Sequence, residues 1–349
     1  MRLDPERLHR FVVAVFTKLG VLVDQAEVTS RRLLEADLRG RTGHGIIRVP
    51  QYVTRIEGGG INLRPNLQIR RATPVSALVD GDNGLGQVVM TVAAETAIDK
   101  ATESGMAWVG TVHSNHAGAA GVYTGLALDK GLIAIYMAVA SANVMPPWGG
   151  NQPLLGTNPI SIAIPSGEEP AFQLDIATTV ASHGTIKVLA QRGEPMPEGW
   201  VIDRTGFPIT DPGRADEGFL MPIGGYKGSG LNMAIGLLAG VLNDAAFGSD
   251  VIDHRTVPDV AANTGQAMFV MRPDLFREID EFKADIDRQL REMRASGEPG
   301  SVHIPGEAAS RLEREQREHG IPVPESLLAR LREVGSRLEV EDDLGAHHS

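Results

Sequence analysis

Histidine is the side chain whose charge changes near neutral pH, and two stand close together in His113-Ser114-Asn115-His116. That segment follows an apolar run and precedes one rich in glycine and alanine. It reads as a loop at a strand end, where α/β proteins place ligands. For a single such histidine a structural hydrogen bond is the commoner role; a pair in a polar loop favours proton transfer. Metal ligation by His113 and His116 lacks both an HExxH spacing and an acidic partner set, so no metal is expected. The second centre is Gly43-His44-Gly45-Ile46-Ile47-Arg48. His44 and Arg48 are four apart and would share a face at a helix start. An acid/base histidine beside an arginine able to hold a carboxylate at two points suits an α-keto or α-hydroxy acid. An Arg48 salt-bridged to one of the many acids is the alternative.

Weaker signals lie further along. No GxGxxG follows an expected strand and opens a helix, so the usual dinucleotide fingerprint is missing. Gly225-Tyr226-Lys227-Gly228-Ser229-Gly230 is glycine-rich, but its lysine precedes most of the glycines, unlike a Walker loop. Its backbone N–H groups and Lys227 suit a phosphate at the entry to the following helix; a plain turn with a solvated lysine is the competing reading. Leu155-Gly156-Thr157-Asn158-Pro159 is a polar turn before a strand. Asp175-Ile176-Ala177-Thr178-Thr179 ends a strand with a carboxylate and hydroxyls, and Ser182-His183-Gly184 follows. An acid in that place binds ribose hydroxyls or caps a helix.

Elements that position these residues follow from periodicity. Asp4-Pro5 reads as an N-cap and first-turn proline, followed by Leu8, Phe11, Val12, Val15, Phe16 and Leu19 at helical spacing. A second helix is expected over 24–38, and a third carries Val49, Tyr52, Val53 and Ile56. Strands are expected at 67–71, 75–79, 106–112, 132–140, 160–164, 172–176 and 267–271. Helices are expected after residue 86 and over 117–128, 231–242 (buried), 274–293, 308–319 and 325–337, with a polar, frayed tail from 339. The length of 349 residues suggests about two domains. With both chain ends helical, one lobe is expected from 1–110 and 295–349, and a dinucleotide-binding domain from 111–294.

Composition narrows the partners. The formal charge of −11 argues against nucleic acid and anionic membranes, which need clustered Lys and Arg. Any anionic ligand must be held by a few local donors. The chain has no cysteine, which excludes disulfides, Cys-bound metals and thiol nucleophiles. Neither a signal peptide nor a membrane helix is expected, because the longest apolar stretches fall short of about 18 residues. A cytoplasmic protein is the expectation.

Taken together, GHGIIRVPQY, HSNHAGAAGVYTGLA, PWGGNQPLLGTNPISIAIP, DIATTVASHGTIK, MPEGWVIDRTGFPITDP, GGYKGSGLNMAIGLLAGVLNDAAFG and IPGE resemble, in order and spacing, the type 2 malate/L-lactate dehydrogenase family. Its members include ureidoglycolate, sulfolactate and diketogulonate dehydrogenases and Δ1-piperideine-2-carboxylate reductases. The resemblance implies an α/β fold with a non-Rossmann nicotinamide-binding domain on a largely antiparallel sheet, a helical lobe built from both termini, and a homodimer. It implies hydride exchange between NAD, with NADP the alternative, and a small 2-hydroxy or 2-keto acid. By similarity His116 and His44 are the acid/base residues, with a modest tilt to His116, and Arg48 binds the substrate carboxylate. Thr157 and His183 would line the substrate pocket. His116, Ala117, Gly118, Ala119, Ala120, Asp175, Ile176, Ala177, Tyr226, Lys227, Pro305, Gly306 and Glu307 would contact the dinucleotide. Gly43 stands where the family commonly has serine, and Thr185 where imine-reducing members have aspartate. Those departures weigh against the rival activity, cyclic imine reduction, and give some weight to a third reading, a non-catalytic dinucleotide-binding homologue. The expected histidine ionisation lies near ~6–7.

Overall fold

The computed structural model describes residues 1–345, apart from the side chains of His183, Lys187, Val188 and Gln191. Its helices are α1 Pro5–Lys18, α2 Val23–Leu38, α3 Val49–Glu57, α4 Gly86–Ser104, α5 Ala120–Leu128, α6 His183–Arg192, α7 Tyr226–Ala239, α8 Ile279–Ala295, α9 Glu307–His319 and α10 Glu325–Arg337. Its strands are β1 Arg2–Leu3, β2 Gln68–Thr73, β3 Ser76–Asp80, β4 Met106–Ser114, β5 Ile133–Ala138, β6 Ile160–Ile164, β7 Phe172–Ile176, β8 Val201–Ile202, β9 Pro208–Ile209, β10 Phe219–Leu220, β11 Thr264–Met271 and β12 Ile321–Pro322.

A seven-stranded mixed sheet of order β2-β3-β4-β11-β5-β6-β7 organises the α/β body. Only β3 and β4 run parallel, because α4 carries the chain between them; the other neighbours are antiparallel. Side chains alternate across the sheet. Ala134, Tyr136 and Ala138 of β5 point into a core with Ala93, Ala94, Ala97 and Ala101 of α4, and Tyr123 and Ala127 of α5. Met137 faces the other way, onto Ile235 and Ala239 of α7. The alanines let α4 lie close to the strands, which places its N-terminal turn beside the end of β4.

A second core joins the two ends of the chain. Leu8, Phe11, Val15, Leu33, Val49, Tyr52 and Val53 pack with Ile321, Leu328, Leu331 and Leu344. The α1 helix starts as its sequence dictates, with Asp4 Oδ1 accepting from Glu6 N and Arg7 N. The short β1 and β12 zip the ends together through Leu3↔Ile321.

Several elements differ from the sequence reading. A boundary at residue 110 falls inside β4, which pairs with β11 from Met106 to Ser114. The apolar segment 231–242 runs from a helix that begins at Tyr226 into a 3₁₀ turn, and it is buried on one side only: Asn232, Ile235 and Ala239 are covered, whereas Leu231, Met233, Leu237, Leu238, Val241 and Leu242 are exposed. Residues 339–345 do not fray, because Leu344 plugs the terminal core and Asp343 accepts from Arg10. The 117–128 helix begins at Ala120, leaving 117–119 as loop. A small antiparallel sheet, β10-β8-β9, packs with Ile186 of α6 on a core of its own and had no counterpart in the sequence reading. Among the described residues no helix is long and apolar enough to cross a membrane.

Candidate active site

His44 and Arg48 sit on the connection between α2 and α3. The shared helical face expected for them does not form. Thr42–His44 and Ile46–Arg48 are separate 3₁₀ turns, with an extended Gly45 between them (φ −92°, ψ −146°). Asp37 causes the break. Its carboxylate is 3% exposed, Oδ2 accepts from Ile46 N at 2.7 Å, and a Cβ on Gly45 would lie 2.1 Å from its carboxyl carbon. Only glycine lets the backbone lie this close. Burial pushes the Asp37 carboxyl up to about 7, while the Ile46 N–H opposes the shift. Arg48 is then held by Nε donating to Gly43 O at 2.7 Å and Nη1 donating to Gln51 Oε1 at 3.0 Å. Both acceptors are neutral, so the expected alternative of a salt-bridged Arg48 is not what holds it here.

His116 follows β4 and meets these residues from the other side. Its loop is fixed through buried Asn115, which donates from Nδ2 to Asn83 Oδ1 and Gly84 O and accepts from Arg55 Nη2. The start of α4 touches this loop so closely that a Cβ on Gly86 would lie 2.3 Å from Asn115 O. The His44 and His116 rings are stacked, with centroids 5.7 Å apart and planes 11° apart. His254 approaches His116 edge-on at 5.5 Å, and its Nε2 lies 3.1 Å from Ser141 Oγ. Tyr52 Oη, from α3, is 2.6 Å from His116 Nδ1 and accepts from Gln87 Nε2, from α4, at 2.8 Å.

The electrostatics run one way. Burial lowers the His44 pKa to about 3, with the charges of Arg48 and Arg41 adding to the effect. His116 is lowered well below its usual value by burial and then by Arg48. His254 falls to about 3 for the same reasons, and burial raises Tyr52 to about 12. An imidazole ionisation near neutrality is therefore not what the free site provides. Three uncharged imidazoles face two guanidiniums, since Arg55 also bonds only to neutral oxygens, those of Gly60, Val257, Val260 and Asn115. The site is a positively charged cleft with proton-carrying rings, suited to an anionic substrate that gains or loses a proton on oxygen.

The residues expected around a dinucleotide fall into two groups. Ala117, Gly118, Ala119 and Ala120 run from His116 into α5, whose first turn has no side-chain cap. Asp175, at the end of β7 with Ile176 and Ala177, accepts from Gly121 N at 3.1 Å and pairs with Arg41 at 3.5 Å. Burial raises its pKa, and Arg41 works against that. Pro305 O accepts from Gln173 N on the same strand, while Glu307 is committed to Arg294. Of these, residues 117–120 adjoin His116, and Asp175 joins them through Gly121 and Arg41. The other group is separate. Thr157 O accepts from Thr178 N and Oγ1, and Thr178 O accepts from Ile223 N just before α7. Tyr226 and Lys227 occupy the exposed, uncapped first turn of α7. Among the described residues no direct hydrogen bond links this group to His44 or His116. The side chain of His183 lies outside the described residues. His113 is turned away from His116 and pairs with Asp80 at 3.0 Å.

The uncapped start of α7 with Lys227, and the small residues over 117–120, fit a ligand carrying phosphates. Sequence reasoning missed Tyr52, Gln87 and His254. Tyr52 is four residues after Arg48, which caps the start of α3, a usable signal; the segment around His254 carries no pattern that singles it out.

A family model described as malate/L-lactate dehydrogenase matches residues 3–332. The malate/(S)-sulfolactate dehydrogenase of Methanothermus fervidus is 36% identical over 98% of this chain and 99% of its own. The ureidoglycolate dehydrogenase (NAD(+)) of Escherichia coli K12 is 32% identical over 94% of both. Among solved structures, the sulfolactate dehydrogenase from Methanocaldococcus jannaschii superposes with a TM-score of 0.90 at 36% identity, covering 98% of each chain.

Proposed function

The chain belongs to the malate/L-lactate dehydrogenase family, and we propose that its paired-histidine cleft is where a small 2-hydroxy acid exchanges a proton while hydride moves to or from the nicotinamide. It is an NAD(P)-dependent oxidoreductase acting on the CH–OH group of such an acid. When bound, the dinucleotide supplies or accepts the hydride.

The single observation that carries the site assignment is the stack of His44 on His116 beside an Arg48 that donates to the neutral oxygens of Gly43 and Gln51. Arg48 binds the substrate carboxylate and so orients the reacting carbon, a positioning effect. His116 serves the reacting oxygen. His44, across the stack, orients the substrate and is the second acid/base group. Thr157 and, by the family resemblance alone, His183 belong to the substrate pocket. Residues 116–120, 175–177, 226–227 and 305–307 hold the dinucleotide, with Glu307 contributing through its turn. In this reading the seven-stranded sheet is a non-Rossmann dinucleotide-binding body, and the shared core of the two chain ends is the substrate-side lobe. The apolar face of α7 and the turn after it supports a homodimer, because Leu237 on the helix at 52% and Leu242 on the turn at 62% exposure are left open to water in one chain. We take NAD as the cofactor ahead of NADP, and the cytoplasm as the compartment.

The test follows NADH absorbance against a panel of 2-keto acids and one cyclic imine. Keto-acid turnover that falls ~10²-fold in His116→Ala supports the reading. Turnover of the imine alone, or no turnover with retained NADH binding, would replace it with one of the two rivals.

A further inference from the structure

Tyr52 stands between two groups that together dictate where its hydrogen points. Gln87 Nε2 donates to Tyr52 Oη at 2.8 Å, and His116 Nδ1 lies 2.6 Å from the same oxygen. An amide nitrogen only donates, and a hydroxyl has one hydrogen. With the Gln87 bond received, the Tyr52 hydrogen has two acceptors in reach, His116 Nδ1 at 2.6 Å and the His116 carbonyl oxygen at 3.5 Å, and the much shorter contact favours Nδ1. The opposite amide orientation is worse. As it stands, Gln87 is fully buried and its Oε1 has no partner among the described residues. Turned over, the side chain would strand an NH₂ group with two donors in that place, where it now strands one acceptor. Nδ1 therefore accepts, and the neutral His116 ring carries its hydrogen on Nε2.

We propose that Gln87 and Tyr52 are positioning residues that fix His116 as the Nε2–H tautomer, and that Tyr52 passes its proton to Nδ1 as Nε2 gives its own to the substrate oxygen. The proposal rests on His116 being the group at the reacting oxygen. An uncharged imidazole can give up a proton without becoming an anion only if it gains one at its other nitrogen, and Tyr52 is the donor placed there. In reduction the carbonyl carbon gains the hydride. The carbonyl oxygen takes the proton from Nε2, Nδ1 takes the proton from Tyr52 Oη, and the phenolate remains until solvent reprotonates it. An alkoxide is a stronger base than a phenolate, so the transfer runs downhill. Burial works against the phenolate and pushes the Tyr52 hydroxyl up to about 12, while the Gln87 hydrogen bond and the field of Arg48 and Arg55 oppose that rise. In oxidation the same path runs backward from the phenolate.

The experiment is ¹⁵N NMR of the substrate-free protein labelled at histidine, with the His116 signals assigned by their loss in His116→Gln. The expected result is a neutral ring with Nε2 protonated and Nδ1 bare. Removing the donor in Tyr52→Phe should abolish that preference, and Gln87→Met, which frees the Tyr52 hydrogen to turn, should weaken it. Tyr52→Phe should also lower kcat about 10²-fold with the acid KM changed only a few-fold. A wild-type ring with the hydrogen on Nδ1 overturns the proposal outright, and full kcat in Tyr52→Phe overturns the relay. A protonated Nε2 together with full activity in His116→Ala would leave the tautomer standing and remove the functional reading beneath it.

Discussion

Replacing Gly45 by alanine tests the contact that holds His44 and Arg48 in place. An added Cβ would lie 2.1 Å from Asp37 Cγ and Oδ1 and 2.2 Å from Oδ2, far inside van der Waals contact. Asp37 is buried and bonded to Ile46 N, so the carboxylate cannot swing away without losing that bond. Overpacking costs about 1–3 kcal/mol. Breaking a hydrogen bond to a charged acceptor costs about 1.5–3 kcal/mol more. Gly45→Ala should therefore lose roughly 2–5 kcal/mol, allowing for partial relaxation, and kcat/KM for the acid should fall at least tenfold. Gly43→Ala is the control two residues away, since its Cβ would meet nothing within 4 Å. That variant should unfold within about 0.5 kcal/mol of wild type. Urea denaturation of the three proteins, with steady-state kinetics on each, decides the matter. Equal midpoints and equal kcat/KM for Gly45→Ala and Gly43→Ala would refute the argument that Asp37 and Gly45 set the loop.

Arg48→Lys should raise the KM for the acid far more than that for the dinucleotide, because an ammonium group cannot reproduce both the Gly43 anchor and a planar grip on a carboxylate; an unchanged acid KM in steady-state assays removes Arg48 from that role. Asp37 holds its proton more tightly folded, with a pKa of about 7, than unfolded at 3.8, so its stabilising contribution is full below the lower value and is lost as pH rises through the higher one. Asp37→Asn should abolish that decline, which amounts to at most about 4 kcal/mol, and the difference in urea midpoint between wild type and variant should widen from pH 5 to pH 8. Leu237→Asp on the exposed face of α7 should convert a dimer into a 37.3 kDa monomer by light scattering, and a wild type already monomeric at assay concentration would dispose of the homodimer.

Much of the site was legible because its chemistry sits on polar residues in loops. His44, Arg48 and His116 stood out against apolar or glycine-rich surroundings, and the strand that leads to His116 was readable as a short apolar run. The relation between His44 and Arg48 was not legible. It depends on Asp37, a residue inside α2 whose contact with Gly45 arises only on folding. Tyr52 was hidden for the opposite reason. It occupies a helix face with Val49, Val53 and Ile56, so its ring reads as core, and indeed it packs there while its hydroxyl reaches His116. The apolar stretch of α7 shows a further limit. Composition reports that a surface avoids water; it does not distinguish a face covered by the same chain from one open to another. Strands of two residues, such as those of the β10-β8-β9 sheet, are too short to have a period.

The charge pattern of the cleft explains why an acidic chain can serve an acidic substrate. The net charge of −11 is spread over the molecule, whereas the histidine cleft holds the guanidiniums of Arg48 and Arg55 against neutral oxygens. Burial makes that positive field strong, and it keeps His44, His116 and His254 uncharged until something anionic arrives. On the proposed function, a carboxylate docked on Arg48 would offset the part of the depression that Arg48 adds to burial, the larger cause. Substrate binding therefore raises their proton affinity at the moment a proton has to be shared with the reacting oxygen. A neutral ligand of the same shape would leave the guanidiniums unopposed and the rings in their low-affinity state. Discrimination in favour of 2-hydroxy and 2-keto acids over simple alcohols and ketones then lies in the protonation step as well as in binding.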